Sequence, residues 1–152
     1  MLKSNILVVD DSEISREILI SMLEDEYTVY EACNGQEAVD LLTKNHEFYQ
    51  LVLLDLNMPV LDGYGVLEIM KERDWLKDVP VIIISADIGR ANEMGAVDFF
   101  SKPFDKEIVR TRIRNVLAIY ERYITDSLTG GLNSKGFTRT VENLFQKGVD
   151  KT

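Results

Sequence analysis

Five polar side chains close apolar runs of this sequence. Asp10 and Asp11 end NILVVD, Asp55 lies in LVLLDL, Ser85 ends VPVIIIS, and Lys102 follows VDFFS. Carboxylates crowded together repel one another, and a cation among them offsets the cost. Asp10, Asp11 and Asp55 suit Mg²⁺, which takes oxygen ligands, keeps several waters and bridges carboxylates to phosphate. Mn²⁺ accepts the same ligand type. A carboxylate also attacks phosphorus, giving an aspartyl phosphate, when charge on the phosphoryl oxygens is neutralised. Lys102 offers a point charge and Ser85 a hydrogen bond for that purpose.

Each residue alone has a plainer reading. The Asp10-Asp11-Ser12 run also suits the N-cap of a helix starting near Ile14. Ser85 alone is a commonplace strand-end serine, and Lys102 alone reads as solvated surface. Asp55 differs, because a charge within an aliphatic run is costly to bury without a partner. Joint placement is what gives the set its weight.

The elements that must position these groups alternate along the chain. Residues 5–10, 28–32, 51–56, 79–85 and 97–101 read as strands, and 14–26, 35–45, 63–74, 88–94 and 105–124 as helices. The first, third and fourth strands lack polar alternation, as strands buried on both faces do. The pattern predicts an α/β fold: a doubly wound, five-stranded parallel sheet with five helices, the last one extended. Such sheets bind ligands beyond the strands' carboxyl ends, where the winding reverses.

A length of 152 residues and 45% hydrophobic content suit one core. Twenty-six acidic against 17 basic residues give a net charge of -9, which argues against direct contact with nucleic acid or anionic membrane. Cys33 is the single cysteine, and the apolar run in MLKSNILVVDD is too short for a signal peptide or membrane span. The expectation is a soluble cytoplasmic protein.

Together LVVDDS, LLDLNMPVLDGYG, SA and SKPF resemble the response-regulator receiver domain of two-component signalling, over residues 5 to about 120. Pro59, Gly63 and Pro103 also match that family. The resemblance implies that Asp10 and Asp11 hold the metal with Asp55 and the Asn57 backbone carbonyl, and that Asp55 accepts the phosphoryl group. It implies roles for Ser85 and Lys102 in contacting that group, for Phe99 as a rotating switch aromatic, and for Asp87 in tuning phosphate loss. Strand alternation separates Phe99 from Phe100. The Lys102–Pro103 bond resembles one that is cis in the family. The implied partner is a sensor histidine kinase or phosphotransfer protein, and no enzymatic turnover beyond the chain's own phosphorylation and dephosphorylation is expected.

Two departures from the family stand out. Only nine residues separate Ser85 from Gly95, which shortens the fourth helix by about one turn. Beyond a receiver spanning 1–122, residues 123–152 read as a linker and the truncated start of an output domain. TDSLTGGLNSKGF resembles the opening of a diguanylate cyclase domain through Asp126, Leu128, Thr129, Gly130, Asn133 and Phe137. Gly131 and Ser134 depart from it, and the cyclase's own GGDEF motif is absent from the chain. In the last long helix, Val109, Ile113, Val116, Tyr120 and Tyr123 form a heptad seam, which predicts a homodimer through that helix.

Two rival functions use similar parts. A metal-dependent phosphatase needs a second aspartate two residues after its nucleophile, and Asn57 stands there. A silent interaction module would not need the full set of five polar groups.

Overall fold

The computed structural model of the chain describes residues 3–85 and 91–130. Strand β1 (Asn5–Val9) is followed by α1 (Glu13–Leu23), β2 (Thr28–Ala32), α2 (Gly35–Asn45) and a 3₁₀ turn (His46–Phe48). Then come β3 (Leu51–Leu54), α3 (Gly63–Glu72), β4 (Val81–Ile84), a second 3₁₀ turn (Ala91–Met94), β5 (Asp98–Phe100) and α4 (Lys106–Gly130). All strand pairs are parallel, in the order β2-β1-β3-β4-β5.

Chain direction across the sheet reverses at β1: β2 lies on one side of it, and β3, β4 and β5 extend on the other. The register pairs Val9 with Leu54, which sets Asp10 beside Asp55 at the switch point. Every residue of β3 and β4 is buried, and all of β1 except Asn5, while β2 is the half-exposed edge. On one face Leu7, Val9, Val52, Leu54, Val81 and Ile83 join a cluster with Ala38 and Leu42 of α2 and Val66, Leu67 and Met70 of α3. The alternate residues Ile6, Val8, Leu53 and Ile82 are equally buried and face the other way, as a period of two requires.

Helix starts are set by local side chains. Ser12, Asn34 and Asp62 cap α1, α2 and α3 by accepting from the amides of Ser15, Glu37 and Gly65. The cap of α1 is therefore Ser12, which leaves Asp10 and Asp11 for other work. At the start of α3, a Cβ on Gly63 would meet the Asp55 carbonyl oxygen and come within 2.7 Å of Leu56 Cα, so only glycine lets α3 approach β3 this closely.

Two element expectations change. Four α-helices occur among the described residues, not five. Of the segment expected as the fourth helix, the described residues form the 3₁₀ turn Ala91–Met94 before Gly95, whose φ is 113°; residues 86–90 lie outside the described residues. The last helix runs to Gly130, past the expected end near Ile124, because no proline or earlier glycine interrupts it.

Two compact units divide the chain, Met1–Arg112 and Ile113–Thr152, with the boundary inside α4. Val109, Ile113 and Val116 of the proposed heptad seam are buried, whereas Ile119 on the same helix is 64% exposed. Asn133 and Phe137 of the cyclase-like stretch lie outside the described residues. Among the described residues, no helix is long and apolar enough to cross a membrane.

Candidate functional site

The carboxyl ends of β1 and β3 bring Asp10, Asp11 and Asp55 together, one carboxylate oxygen of each lying within 4.8 Å of the others. Asp10 is fully buried, Asp55 and Ser85 nearly so, while Asp11 is exposed at the mouth. Backbone pairing fixes the two buried acids: Asp10 N–H donates to Ala32 O (3.1 Å) and Asp55 N–H to Val9 O (2.9 Å). The Asn57 amide donates to Asp55 Oδ1 at 3.3 Å, which turns the loop after β3 back over the pocket. Within that loop Val60 has φ of 71° and is 78% exposed, with Leu61 N–H bonded to Pro59 O at 2.8 Å. A β-branched residue at positive φ is strained.

Lys102, placed after β5, reaches both buried acids. Its Nζ lies 3.1 Å from Asp10 Oδ2 and 3.5 Å from Asp55 Oδ2. Burial pulls the Lys102 pKa down, but the two carboxylates outweigh it and the net shift is upward. Burial pushes the Asp55 carboxyl up, the Asp10 charge adds to this, and Lys102 only partly compensates. Asp10 Oδ2 is buried and has the Lys102 ammonium 3.1 Å away as its ion-pair partner, outside the angular range of a well-aligned hydrogen bond. One ammonium shared by two buried carboxylates, with a third carboxylate beside them, leaves the pocket net negative. The donor set is all oxygen and carries excess negative charge, so the pocket fits a hard divalent cation.

Ser85 closes β4, whose Ile83 pairs with Leu54, and is thus placed at the same sheet edge as Asp55. In β5 the alternation separates the two phenylalanines as expected. Phe100 is 4% exposed and Phe99 is 41% exposed, with the Arg112 guanidinium 5.8 Å from its ring centre. The Lys102–Pro103 bond is cis. Asp87 lies outside the described residues.

Sequence reasoning missed Arg16 and Glu31. Arg16 donates through Nη1 to the Asp10 carbonyl (2.6 Å) and through Nε to Glu31 Oε1 (2.8 Å). A signal was present: a cation in the first turn of a helix opposes the macrodipole and needs a local anion or carbonyl. His46, in the 3₁₀ turn after α2, is partly buried. It stacks on Trp75 (5.4 Å between ring centres) and bonds Asp78 Oδ2 at 3.1 Å, at the opposite edge of the sheet.

A doubly wound sheet of this strand order, with an acid pocket and a lysine at its switch point, defines the CheY-like class of α/β domains. A match to the response regulator receiver domain family covers residues 6–114, and the chain belongs to that family of two-component systems. Sporulation initiation phosphotransferase F of Bacillus subtilis (strain 168) is 35% identical over 125 residues, which span 78% of this chain and 98% of its own. "Probable transcriptional regulator ycf27" of Pyropia yezoensis is 40% identical over 153 residues, covering 95% of this chain. The chain spans about 60% of the length of that relative. A solved structure described as a "probable two-component system response regulator/GGDEF domain protein" superposes with a TM-score of 0.72 at 31% identity. That match covers 78% of this chain and 50% of the other.

Proposed function

We propose that Asp55 is the phospho-acceptor of this receiver domain, and that Asp10, Asp11, Asp55 and the Asn57 backbone carbonyl hold the Mg²⁺ it requires. The observation that carries this is the convergence of three carboxylates, Asp10, Asp11 and Asp55, with one oxygen of each within 4.8 Å of the others and two of the three residues buried. A bound Mg²⁺, or Mn²⁺ in its place, neutralises charge on the transferring phosphoryl group. The chain's own residues do the rest. An Asp55 carboxylate oxygen attacks phosphorus in line and the donor's bond to phosphorus breaks, leaving one phosphoryl group on Asp55. Lys102, already bridging Asp10 and Asp55, takes up the new phosphoryl charge, and the Ser85 hydroxyl donates to it. The donor is a phosphohistidine of a sensor kinase or phosphotransfer protein, in a cytoplasmic setting.

Phosphorylation adds about -1.5 to -2 charges. Ser85 and Lys102 are drawn toward them, and Phe99, 41% exposed before the event, moves into the space near Ser85. The change passes along β5 into α4, and residues 123–152 begin an output domain tied to cyclic di-GMP signalling. The heptad seam, whose Val109, Ile113 and Val116 are buried within the chain, supports a homodimer through its remaining residues Tyr120 and Tyr123. Light scattering is expected to show a dimer in at least one phosphorylation state; a monomer in both removes the dimer.

Mass spectrometry after incubation with acetyl phosphate and Mg²⁺ tests the chemistry. One added phosphoryl group, lost when the metal is chelated, is the expected result. No addition under any condition would return the chain to the silent interaction module.

A further inference from the structure

The proposed metal site depends on an arginine outside it. Three of the four polar atoms of Asp10 are committed to the fold. Its N–H donates to Ala32 O, its Oδ1 accepts from Ser12 N at 2.9 Å, and its carbonyl accepts from Arg16 Nη1 at 2.6 Å. Only Oδ2 is left to face Asp55 and Lys102. The first two bonds come from β2 and the N-cap of α1. Arg16 supplies the third, and that bond sets the plane of the peptide joining Asp10 to Asp11.

Arg16 is itself braced. Its side chain is 14% exposed, and its Nε is bonded to Glu31 on β2, a residue paired in register with Val8. One guanidinium thus ties β2, α1 and the end of β1 together. A planar fork can serve two acceptors in fixed directions at once, which a lysine ammonium on a flexible stem does not reproduce. Position in the helix sharpens the point. Arg16 lies in the first turn of α1, where the macrodipole disfavours a cation, so its place there is set by what it bonds.

We infer that Arg16, braced by Glu31, is a positioning residue for metal-dependent phosphorylation: it holds the Asp10–Asp11 peptide so that both carboxylates face the cation. It touches neither metal nor phosphoryl group. The inference rests on the metal reading above and adds to it a residue and a mechanism.

Isothermal titration of the full 152-residue chain with Mg²⁺ tests it, alongside circular dichroism to establish folding. Groups that orient metal ligands typically contribute 10–100-fold in affinity, so Arg16→Ala is expected to raise the Mg²⁺ Kd about tenfold or more. Arg16→Lys, which keeps the charge and loses the fork, is expected to do the same. The phosphorylation rate of Arg16→Lys with acetyl phosphate should recover at saturating Mg²⁺, since the nucleophile and Lys102 are untouched. Glu31→Gln, which keeps the hydrogen-bond acceptor but not the charge, should shift the Kd the same way by less, and serves if Arg16→Ala does not fold. Wild-type affinity in folded Arg16→Lys and Glu31→Gln would overturn the inference, even if both lose thermal stability, because Arg16 would then be structural only. Asp10→Asn separates the two claims. If it loses Mg²⁺ binding while the Arg16 variants keep it, the metal reading survives and positioning fails; if wild type itself does not bind Mg²⁺, both fail.

Discussion

Replacing Asp55 with asparagine is expected to abolish phosphorylation and, at the same time, to make the metal-free protein more stable. The first effect follows because an amide is no nucleophile toward phosphorus. The second follows from electrostatics. Burial and the Asp10 charge push the Asp55 carboxyl above its ordinary value, so the folded state binds this proton more tightly than the unfolded chain. Stability from this group is therefore fully present below the unfolded carboxylate range and is lost as pH rises through the raised folded value. Near pH 7 the wild-type fold carries that cost, and Asp55→Asn removes it. Urea unfolding at pH 7 with a chelator should show the variant more stable, by roughly 1 kcal/mol or more. The gap should close as pH falls toward the unfolded carboxylate value, and added Mg²⁺ should stabilise wild type more than the variant. A variant less stable than wild type at pH 7 would mean that Lys102 already satisfies the pocket.

Lys102→Ala is expected to have the next largest effects, of opposite sign on stability. Its Nζ is the cation within 3.1 Å of Asp10 and 3.5 Å of Asp55. Removing it leaves two buried carboxylates facing each other, and breaking a buried pair on one side costs about 3 kcal/mol. Because Lys102 is 30% exposed and water reaches its ammonium, the lower value of about 2 kcal/mol is expected in urea unfolding without metal. Phosphorylation with acetyl phosphate should slow by about 10²–10³, the typical loss for one preorganised charge donor. Mg²⁺ should still bind, and more tightly, since a competing cation has gone. Loss of Mg²⁺ binding in a folded Lys102→Ala would show that the lysine supports the pocket rather than completing it.

The contrast between these two variants shows how the site is balanced. Lys102 is drawn toward Asp10 and Asp55 while its own burial works against the charge, and the outcome is a cation held in place with a net upward pKa. A phosphoryl group arriving on Asp55 would enter a pocket where the lysine, the Asn57 amide and the buried Ser85 already stand.

The parallel sheet was written into the sequence, because strands buried on both faces are spelled as aliphatic runs, and NILVV, LVLL and VIII leave no other use for so many buried branched side chains. The acid pocket was equally legible. Asp10, Asp55, Ser85 and Lys102 each follow a strand, and parallel strands deliver their carboxyl ends to one edge. What the tertiary structure alone decided was of two kinds. In a short segment the local form was decided there: Ala91–Met94, the end of IGRANEM, is a 3₁₀ turn before Gly95. Where partners were distant in sequence, spacing carried no signal. His46 finds Trp75 and Asp78, and Arg16 finds Glu31 and the Asp10 carbonyl, through contacts across elements that no local period encodes. Periodicity reports which face of an element is buried, while charge pairing depends on which elements lie side by side, and only the folded sheet order settles that.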